Sequence, residues 1–274
     1  MISLNRQIAL QAQNLSYTYP DRTSALQNVS FTVHSGDRTA VLGTNGAGKS
    51  TLLLCLAGLL PLAEGKLVVC GQEVTVAKPA PLGCVGVVFA DPDDQLFAAT
   101  VAEDVAYGPQ AMGLPICEVE ERVTKALEKM GITSLAQRPP HHLSMGQKRR
   151  AAIAGVLAME PSIIILDEPT AFLDPAGVER LYSILAELHD MGITLVLATH
   201  DVDFAAQWAN QVLILRAGSI YAQGERNLLS DAQLMQSAGL RIPLVSQVFA
   251  GLPPDPVPLS VAEGRQLLFR LFKG

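Results

Sequence analysis

Nine residues, Gly43-Thr44-Asn45-Gly46-Ala47-Gly48-Lys49-Ser50-Thr51, carry the most legible chemistry in the chain. They fit G-x-x-x-x-G-K-[ST], in which Gly43, Gly46 and Gly48 leave no Cβ to block a tight turn or a close backbone approach. Successive N–H groups of such a loop, backed by the positive end of a following helix, make a nest for phosphate oxygens. Lys49 then supplies a point charge for the β- and γ-phosphates, and the Ser50 hydroxyl a ligand for Mg²⁺. A Gly-rich turn in an ordinary α/β domain is the bland alternative. The flanks decide against it, because an apolar, strand-like run (Thr39-Ala40-Val41-Leu42) precedes the loop and a helix-like run (Thr51 to Ala57) follows it.

A second group of residues belongs with the loop. Ser162-Ile163-Ile164-Ile165-Leu166 is apolar on both faces, the pattern of a parallel strand inside a sheet, and it ends in Asp167-Glu168. Such strands present their C-terminal ends to the ligand crevice. Asp167 therefore reads as an acid that holds Mg²⁺, and Glu168 as a base that polarises an attacking water. Ile193 to Ala198 is a second buried strand and ends in Thr199-His200-Asp201, which puts His200 where it can donate to a γ-phosphate or hold that water. Tyr19, at the end of the alternating run Leu15 to Tyr19, is a candidate to stack on a nucleobase; simple packing is the competing reading.

The elements that must position these residues follow from pattern. Residues 8 to 42 read as short antiparallel strands, with a turn at Pro20-Asp21. Glu64-Gly65 reads as a turn, and Lys66 to Gly71 and Val85 to Phe89 as further strands. From about 100 to 160 the character is helical: Val119, Val123, Ala126, Leu127 and Met130 fall at helical spacing and Gly131 closes the run. Pro139-Pro140 precedes His141-His142-Leu143-Ser144-Met145-Gly146-Gln147, with a helix expected from Lys148 to Met159. A further helix carries Val178, Leu181, Leu185 and Leu188 and stops at Gly192. Val212 to Leu215 turns at Ala217-Gly218 into Ile220-Tyr221-Ala222. Beyond Gly224, Ser230-x-x-Gln233 and Ser260-x-x-Glu263 resemble capping boxes. Leu252 to Pro258 reads as a stiff Pro-rich spacer. The last helix gathers Leu267, Leu268, Leu271 and Phe272 on one side, for docking or for packing on its own domain.

Composition bounds the function. The chain has 274 residues, 49 % apolar and 17 % charged, with a net charge of −6, which argues against a broad nucleic-acid surface. Lys148-Arg149-Arg150 is its one dense basic run and reads as a solvated helix face. The cysteines at 55, 70, 84 and 117 form no CxxC pair; Cys55, Cys70 and Cys84 sit in apolar surroundings and read as reduced core residues. Met1 to Gln13 mixes polar residues throughout, unlike a signal peptide. No window reaches the ~18 apolar residues of a spanning helix. The expectation is a soluble chain, or one held at a membrane by a partner.

Taken together, these motifs make residues 8 to 224 resemble an ATP-binding-cassette (ABC) ATPase subunit. Leu143-Ser144-Met145-Gly146-Gln147 is similar to the family signature, which separates it from other P-loop ATPases. The resemblance implies an α/β P-loop NTPase fold with a mixed central sheet, an antiparallel β-subdomain, a helical signature subdomain over about 91–160 within a 1–224 ATPase domain, and a small C-terminal extension over 225–274. It implies ATP and Mg²⁺ as ligands and two ATPs at the interface of a dimer, each signature closing on the other subunit's γ-phosphate. Residue by residue, Tyr19 matches the adenine-stacking aromatic, and Gly43, Asn45, Gly46, Ala47, Gly48, Lys49, Ser50 and Thr51 the Walker A loop. Asp167 matches the Walker B acid, Glu168 the catalytic base and His200 the switch histidine. Ser144, Gly146 and Gln147 match the signature, and Ala171-Phe172-Leu173-Asp174 the D-loop.

One departure stands out. The family carries a glutamine after the strand ending at Phe89, where this chain has Ala90. Because that glutamine reaches Mg²⁺ and the attacking water, hydrolysis or its coupling is expected to be weakened while ATP binding survives. Gln95 is not expected to substitute. Thr44 and Met145 are lesser departures. The run Ala90 to Phe97, the run Thr100 to Pro109, and the tail Ala238-Gly239-Leu240-Arg241-Ile242-Pro243 look like energy-coupling-factor (ECF) transporters, importers of cobalt, nickel or vitamins. That resemblance implies attachment to the cytoplasmic face of the membrane, a second ATPase subunit (the same chain or a relative), a transmembrane coupling protein and a substrate-binding membrane protein. Asp91-Pro92-Asp93-Asp94-Gln95-Leu96-Phe97 leans to the cobalt and nickel branch. A non-transport ABC protein and a regulatory subunit that scarcely hydrolyses ATP are the competing readings.

Overall fold

The computed structural model describes residues 7–62, 64–75, 78, 80, 81, 83–251 and 257–273. The chain opens with β1 (Ile8–Thr18) and β2 (Ser24–His34), then β3 (Arg38–Leu42) leads through the glycine loop into α1 (Lys49–Leu56). β4 (Glu64–Val69), β5 (Gln72–Val74) and β6 (Val85–Val88) follow, and then the helices α2 (Val101–Ala111), α3 (Ile116–Lys129) and α4 (Met145–Leu157). The chain returns through β7 (Ile163–Asp167), α5 (Pro175–Asp190), β8 (Thr194–Thr199), α6 (Val202–Trp208) and the hairpin β9 (Gln211–Arg216) and β10 (Ser219–Glu225). Three further helices, α7 (Ala232–Ser237), α8 (Leu244–Phe249) and α9 (Val261–Lys273), form the C-terminal extension.

Two sheets result. β2-β1-β4-β5 is antiparallel; β10-β9-β3-β8-β7-β6 is mixed, parallel except at its β9–β10 edge. The central strands obey the two-faced burial their apolar runs imply. Ile164, Leu166, Ala40 and Leu42 pack on one side with α4 and α5, and Ile163, Ile165, Val41 and Val196 on the other with the antiparallel sheet. α1 lies in that second core, with Leu52, Leu53, Cys55 and Leu56 all buried. Burial pushes the Cys55 thiol up to about 12, so it is an inert core residue. The register aligns Leu42 with Thr199 and Asp167 with Ala198, so β3, β8 and β7 deliver their last residues to one level.

The structure corrects several sequence expectations. α4 starts at Met145, not Lys148, because Ser144 and Gln147 form a complete capping box. Glu64 and Gly65 open β4, paired with β1, rather than forming a turn. The cap of α7 is Asp231, whose side chain accepts from Gln233 and Leu234 N–H; Ser230 instead donates to Asn227 C=O. Ser260 does accept from Glu263 N–H, but the Glu263 carboxylate bonds Leu259 N–H and Arg226. Cys70 and Cys84 are paired in a disulfide, since β4 ends beside the start of β6; only Cys55 and Cys117 are free thiols. The spacer expected over 252–258 falls mostly outside the described residues. Among the described residues no helix is long and apolar enough to cross a membrane.

Ile165 is fully buried on β7, an interior strand of the mixed sheet, whereas Ile116 is 76 % exposed on α3. Ile165→Ala is expected to destabilise the fold by about 2–5 kcal/mol, and Ile116→Ala by about 0.5 kcal/mol or less. Urea unfolding of the two variants at matched m-value checks this.

Candidate nucleotide site

The glycine loop is shaped by close approach. A Cβ at Gly43 would lie 2.6 Å from Leu215 C=O; one at Gly48 would lie 2.7 Å from Ala25 C=O, and Gly48 has φ +100°. The β9–β10 hairpin braces the loop from outside, Gly218 N–H donating to Ala47 C=O at 3.1 Å. Gly43 and Ala47 are buried under the loop, while Asn45, Gly46, Gly48, Lys49, Ser50 and Thr51 line a cavity of about 380 Å³ together with Tyr19 and Glu168. Tyr19 is fixed there by a 2.9 Å hydrogen bond between its hydroxyl and that of Thr51, and its ring meets Tyr17 edge-on.

Lys49 is only 7 % exposed, so its ammonium must find oxygen partners. It donates to Gly43 C=O at 3.0 Å and Thr44 C=O at 3.4 Å, and lies 3.7 Å from Glu168 Oε1. Glu168 sits at φ +40°, which turns it out of the strand direction immediately after β7. Its Oε2 accepts from the Thr199 hydroxyl at 3.2 Å and meets His200 Nδ1 at 3.0 Å. His200 is exposed on its outer side and meets that carboxylate on its inner one. One carboxylate, just past the end of β7, thus gathers Lys49 from the start of α1 and Thr199 and His200 from the end of β8.

Asp167 occupies a different environment. Burial pushes its carboxyl above the usual range and Glu168 adds to the rise, while the Ser50 hydroxyl, Lys49 and Arg149 oppose it. Its Oδ1 is buried with no hydrogen-bond partner. A buried carboxylate oxygen without a donor, beside a serine hydroxyl, is a donor set suited to a hard cation. Mg²⁺ typically takes one or two protein oxygens and completes its shell with water and substrate phosphate, and Asp167 and Ser50 supply that number.

The remaining expected site residues lie elsewhere. Ser144, Gly146, Gln147 and Asp174 line a separate cavity of about 410 Å³ between α4 and the start of α5. Ser144 caps α4, and Asp174 caps α5 by accepting from Gly177 N–H at 2.7 Å. A single chain therefore carries two separate cavities, one lined by the phosphate loop and one by the N-terminus of α4.

Pattern reading passed over two positions. Thr199 is fully buried and both donates to Glu168 and accepts from Asp201 N–H at 3.0 Å; its place beside His200 at a strand end was the available signal. Arg149 is 2 % exposed, so the basic triplet is not a solvated face. Its guanidinium donates to Phe89 C=O and Ala90 C=O at 2.5 Å each, Lys148 pairs with Asp93 at 2.6 Å, and Arg150 holds the carbonyls of Met130 and Gly131. Burial lowers Arg149 from its ordinary value, opposed by Asp91 and Asp167. Gln95 is turned away from the nucleotide cavity: its amide donates to Val87 C=O and accepts from Phe89 N–H.

Comparison with known proteins bears on the fold and the family. A family model described as ABC transporter matches residues 26–171. An energy-coupling factor transporter ATP-binding protein from Carboxydothermus hydrogenoformans is 45 % identical over 263 residues, 95 % of this chain and 97 % of the relative. The structure of cbiO1 from Clostridium perfringens, part of the ABC transporter complex cbiONQ, superposes with a TM-score of 0.73 at 37 % identity, over 89 % of this chain and 99 % of that one. A dimeric ATP-binding cassette in a post-hydrolysis state with ADP and phosphate superposes at 0.70 with 25 % identity, over 79 % of this chain and 98 % of that one.

Thr199 orients the carboxylate without reaching the nucleotide cavity. Hydrogen bonds to charged groups contribute about 1.5–3 kcal/mol, so Thr199→Val is expected to lower kcat about tenfold or more. The KM for MgATP should stay within about twofold, and steady-state ATPase kinetics check the split.

Proposed function

We propose a specific place for this chain within the family to which it belongs, that of the ABC transporter ATP-binding subunits: it is the ATP-hydrolysing subunit of an ECF importer for cobalt or nickel ions. Binding of ATP with Mg²⁺ and its hydrolysis belong to the family. The observation that carries the residue assignment is the convergence of Lys49, Thr199 and His200 on the Glu168 carboxylate, which lines the Tyr19 cavity. The ECF assignment is supported by the 45 % identical relative, and the cobalt or nickel branch by the Asp91–Phe97 string and the likeness to a cbiONQ component.

In this reading the division of the chain is an ATPase domain over 1–224, with a helical subdomain over about 91–160, and an extension over 225–274. Tyr19 supports the adenine, and the loop from Gly43 to Thr51 cradles the phosphates. Lys49 exchanges its loop carbonyls for phosphate oxygens. Ser50 and Asp167 would hold Mg²⁺, which would supply charge neutralisation and orientation at the phosphates. Glu168 accepts a proton from the attacking water, and His200 bonds the γ-phosphate. Ser144, Gly146, Gln147 and Asp174 serve the second ATPase subunit's nucleotide, because they face a cavity apart from this chain's own loop. The subunit sits on the cytoplasmic face of the membrane beneath a transmembrane coupling protein and a substrate-binding membrane protein.

With Gln95 committed to the end of β6, no side-chain amide at Ala90 or Gln95 serves the water or the cation. Ala90→Gln is expected to raise ATPase or coupled transport by about three- to tenfold with nucleotide affinity unchanged; no rise in either refutes the idea. The assignment as a whole is checked by tagging the C-terminus and solubilising native membranes in mild detergent. A polytopic membrane protein together with a small metal-binding membrane protein is the expected copurifying set. Recovery with ribosomes, with DNA, or as a lone soluble chain overturns the transport reading.

A further inference from the structure

We propose that the turn joining α7 to α8, residues 239–244, is a tie bar between the phosphate loop and the segment carrying His200, and that Arg241 is a positioning residue for ATP hydrolysis. The inference rests on the reading of His200 given above and adds a role for the C-terminal extension. α6 is a seven-residue helix whose cap, Asp201, directly follows His200. A helix this short does not hold its own orientation; its tertiary contacts set it. The extension grips it at both ends. In its first turn, Asp203 accepts from Arg241 Nη2 through Oδ2 and from Leu244 N–H through Oδ1 at 2.7 Å. Near its other end, Arg226 donates to Ala206 C=O at 3.2 Å and pairs with Glu263 of α9 at 2.5 Å.

The same turn also reaches the phosphate loop. Gly239, at φ +74°, lies so close that an added Cβ would come within 3.3 Å of Thr44 Cγ2. Thr44 is the residue whose carbonyl Lys49 holds. Gly239 and Arg241 therefore span from the loop that receives the phosphates to the helix that presents His200. His200 is 66 % exposed on its side chain and depends on its flanking backbone for its aim at Glu168. The Arg241–Asp203 pair is half exposed, 46 % and 36 %, and such pairs contribute little to global stability. A purely structural role would thus have little to act on, whereas a directional role predicts a change in turnover with the fold intact.

The test uses the purified full-length chain and the variants Arg241→Ala, Arg241→Lys, Asp203→Asn and His200→Ala. Arg241→Ala and Asp203→Asn are expected to lower kcat about fivefold or more, with the KM for MgATP within about twofold and Tm within about 2 °C of the parent. Arg241→Lys should recover at least half of the loss. Histidine-selective imidazole NMR should show the His200 signal shifted in Arg241→Ala while those of His34, His141, His142 and His189 stay in place. Parental kcat in Arg241→Ala alongside an inactive His200→Ala overturns the tie bar alone. So does a joint fall of kcat, nucleotide affinity and Tm. Parental kcat in His200→Ala overturns the underlying reading of the histidine itself, whatever Arg241 does.

Discussion

The site depends on how a buried ammonium is neutralised. Lys49 has three protons to place and almost no water to place them in, so two go to the carbonyls of Gly43 and Thr44, with Glu168 close by. For those carbonyls to point inward the loop must curl back on itself. Gly43 must then pass against Leu215, and Gly48 against Ala25. Glu168, in turn, has to leave β7 with a positive φ to bring its carboxylate across. A triphosphate entering this site would replace carbonyl partners that already compensate the charge. The cost of removing Lys49 from water is thus met by the folded chain before any ligand arrives.

The sheet order explains why this balance can be struck. β8 lies between β3 and β7, so the strand that ends in Thr199 and His200 comes up between the loop and the two acids. Thr199 and His200 occupy Glu168 Oε2, which leaves Oε1 facing Lys49. Asp167 is left with an oxygen that no protein group satisfies. Two neighbouring carboxylates therefore have opposite surroundings, one saturated with donors and one wanting a partner. That contrast is the physical basis for giving them different tasks.

Much of this was readable in sequence because the motifs are local and sit where strands stop. The loop from Gly43 to Thr51, the acids after the Ile163–Leu166 run and His200 needed only the rule that parallel strands end at one level. What escaped was non-local. Arg149 looks like a surface cation in a basic triplet until Phe89 and Ala90, sixty and fifty-nine residues away, are seen to accept from it. The start of α4 is harder to read because Gly146 is a poor helix former, and the Ser144–Gln147 capping box outweighs it. The same competition moved the cap of α7 from Ser230 to Asp231, whose carboxylate bonds two backbone N–H groups. The Cys70–Cys84 pairing depends on how β4 and β6 approach, which spacing alone does not state.

The loop after β6 gains a different meaning from its attachments. Arg149 of α4 holds the carbonyls of Phe89 and Ala90, Lys148 of α4 pairs with Asp93, and Gln95 closes the loop on β6. The anchors are on α4 and, through Gln95, on β6; the methyl group of Ala90 offers none toward the nucleotide. A loop held in this way ties α4 to the end of β6. In the proposed dimer the start of α4 faces the partner's nucleotide, so the loop would register closure of the two subunits on each other. It would not sense directly the γ-phosphate in its own chain. A rigid hydrogen-bonded link of this kind transmits a rotation of the helical subdomain without needing a side chain on the metal. That is consistent with an alanine standing at position 90 in a chain whose other nucleotide-binding motifs are intact.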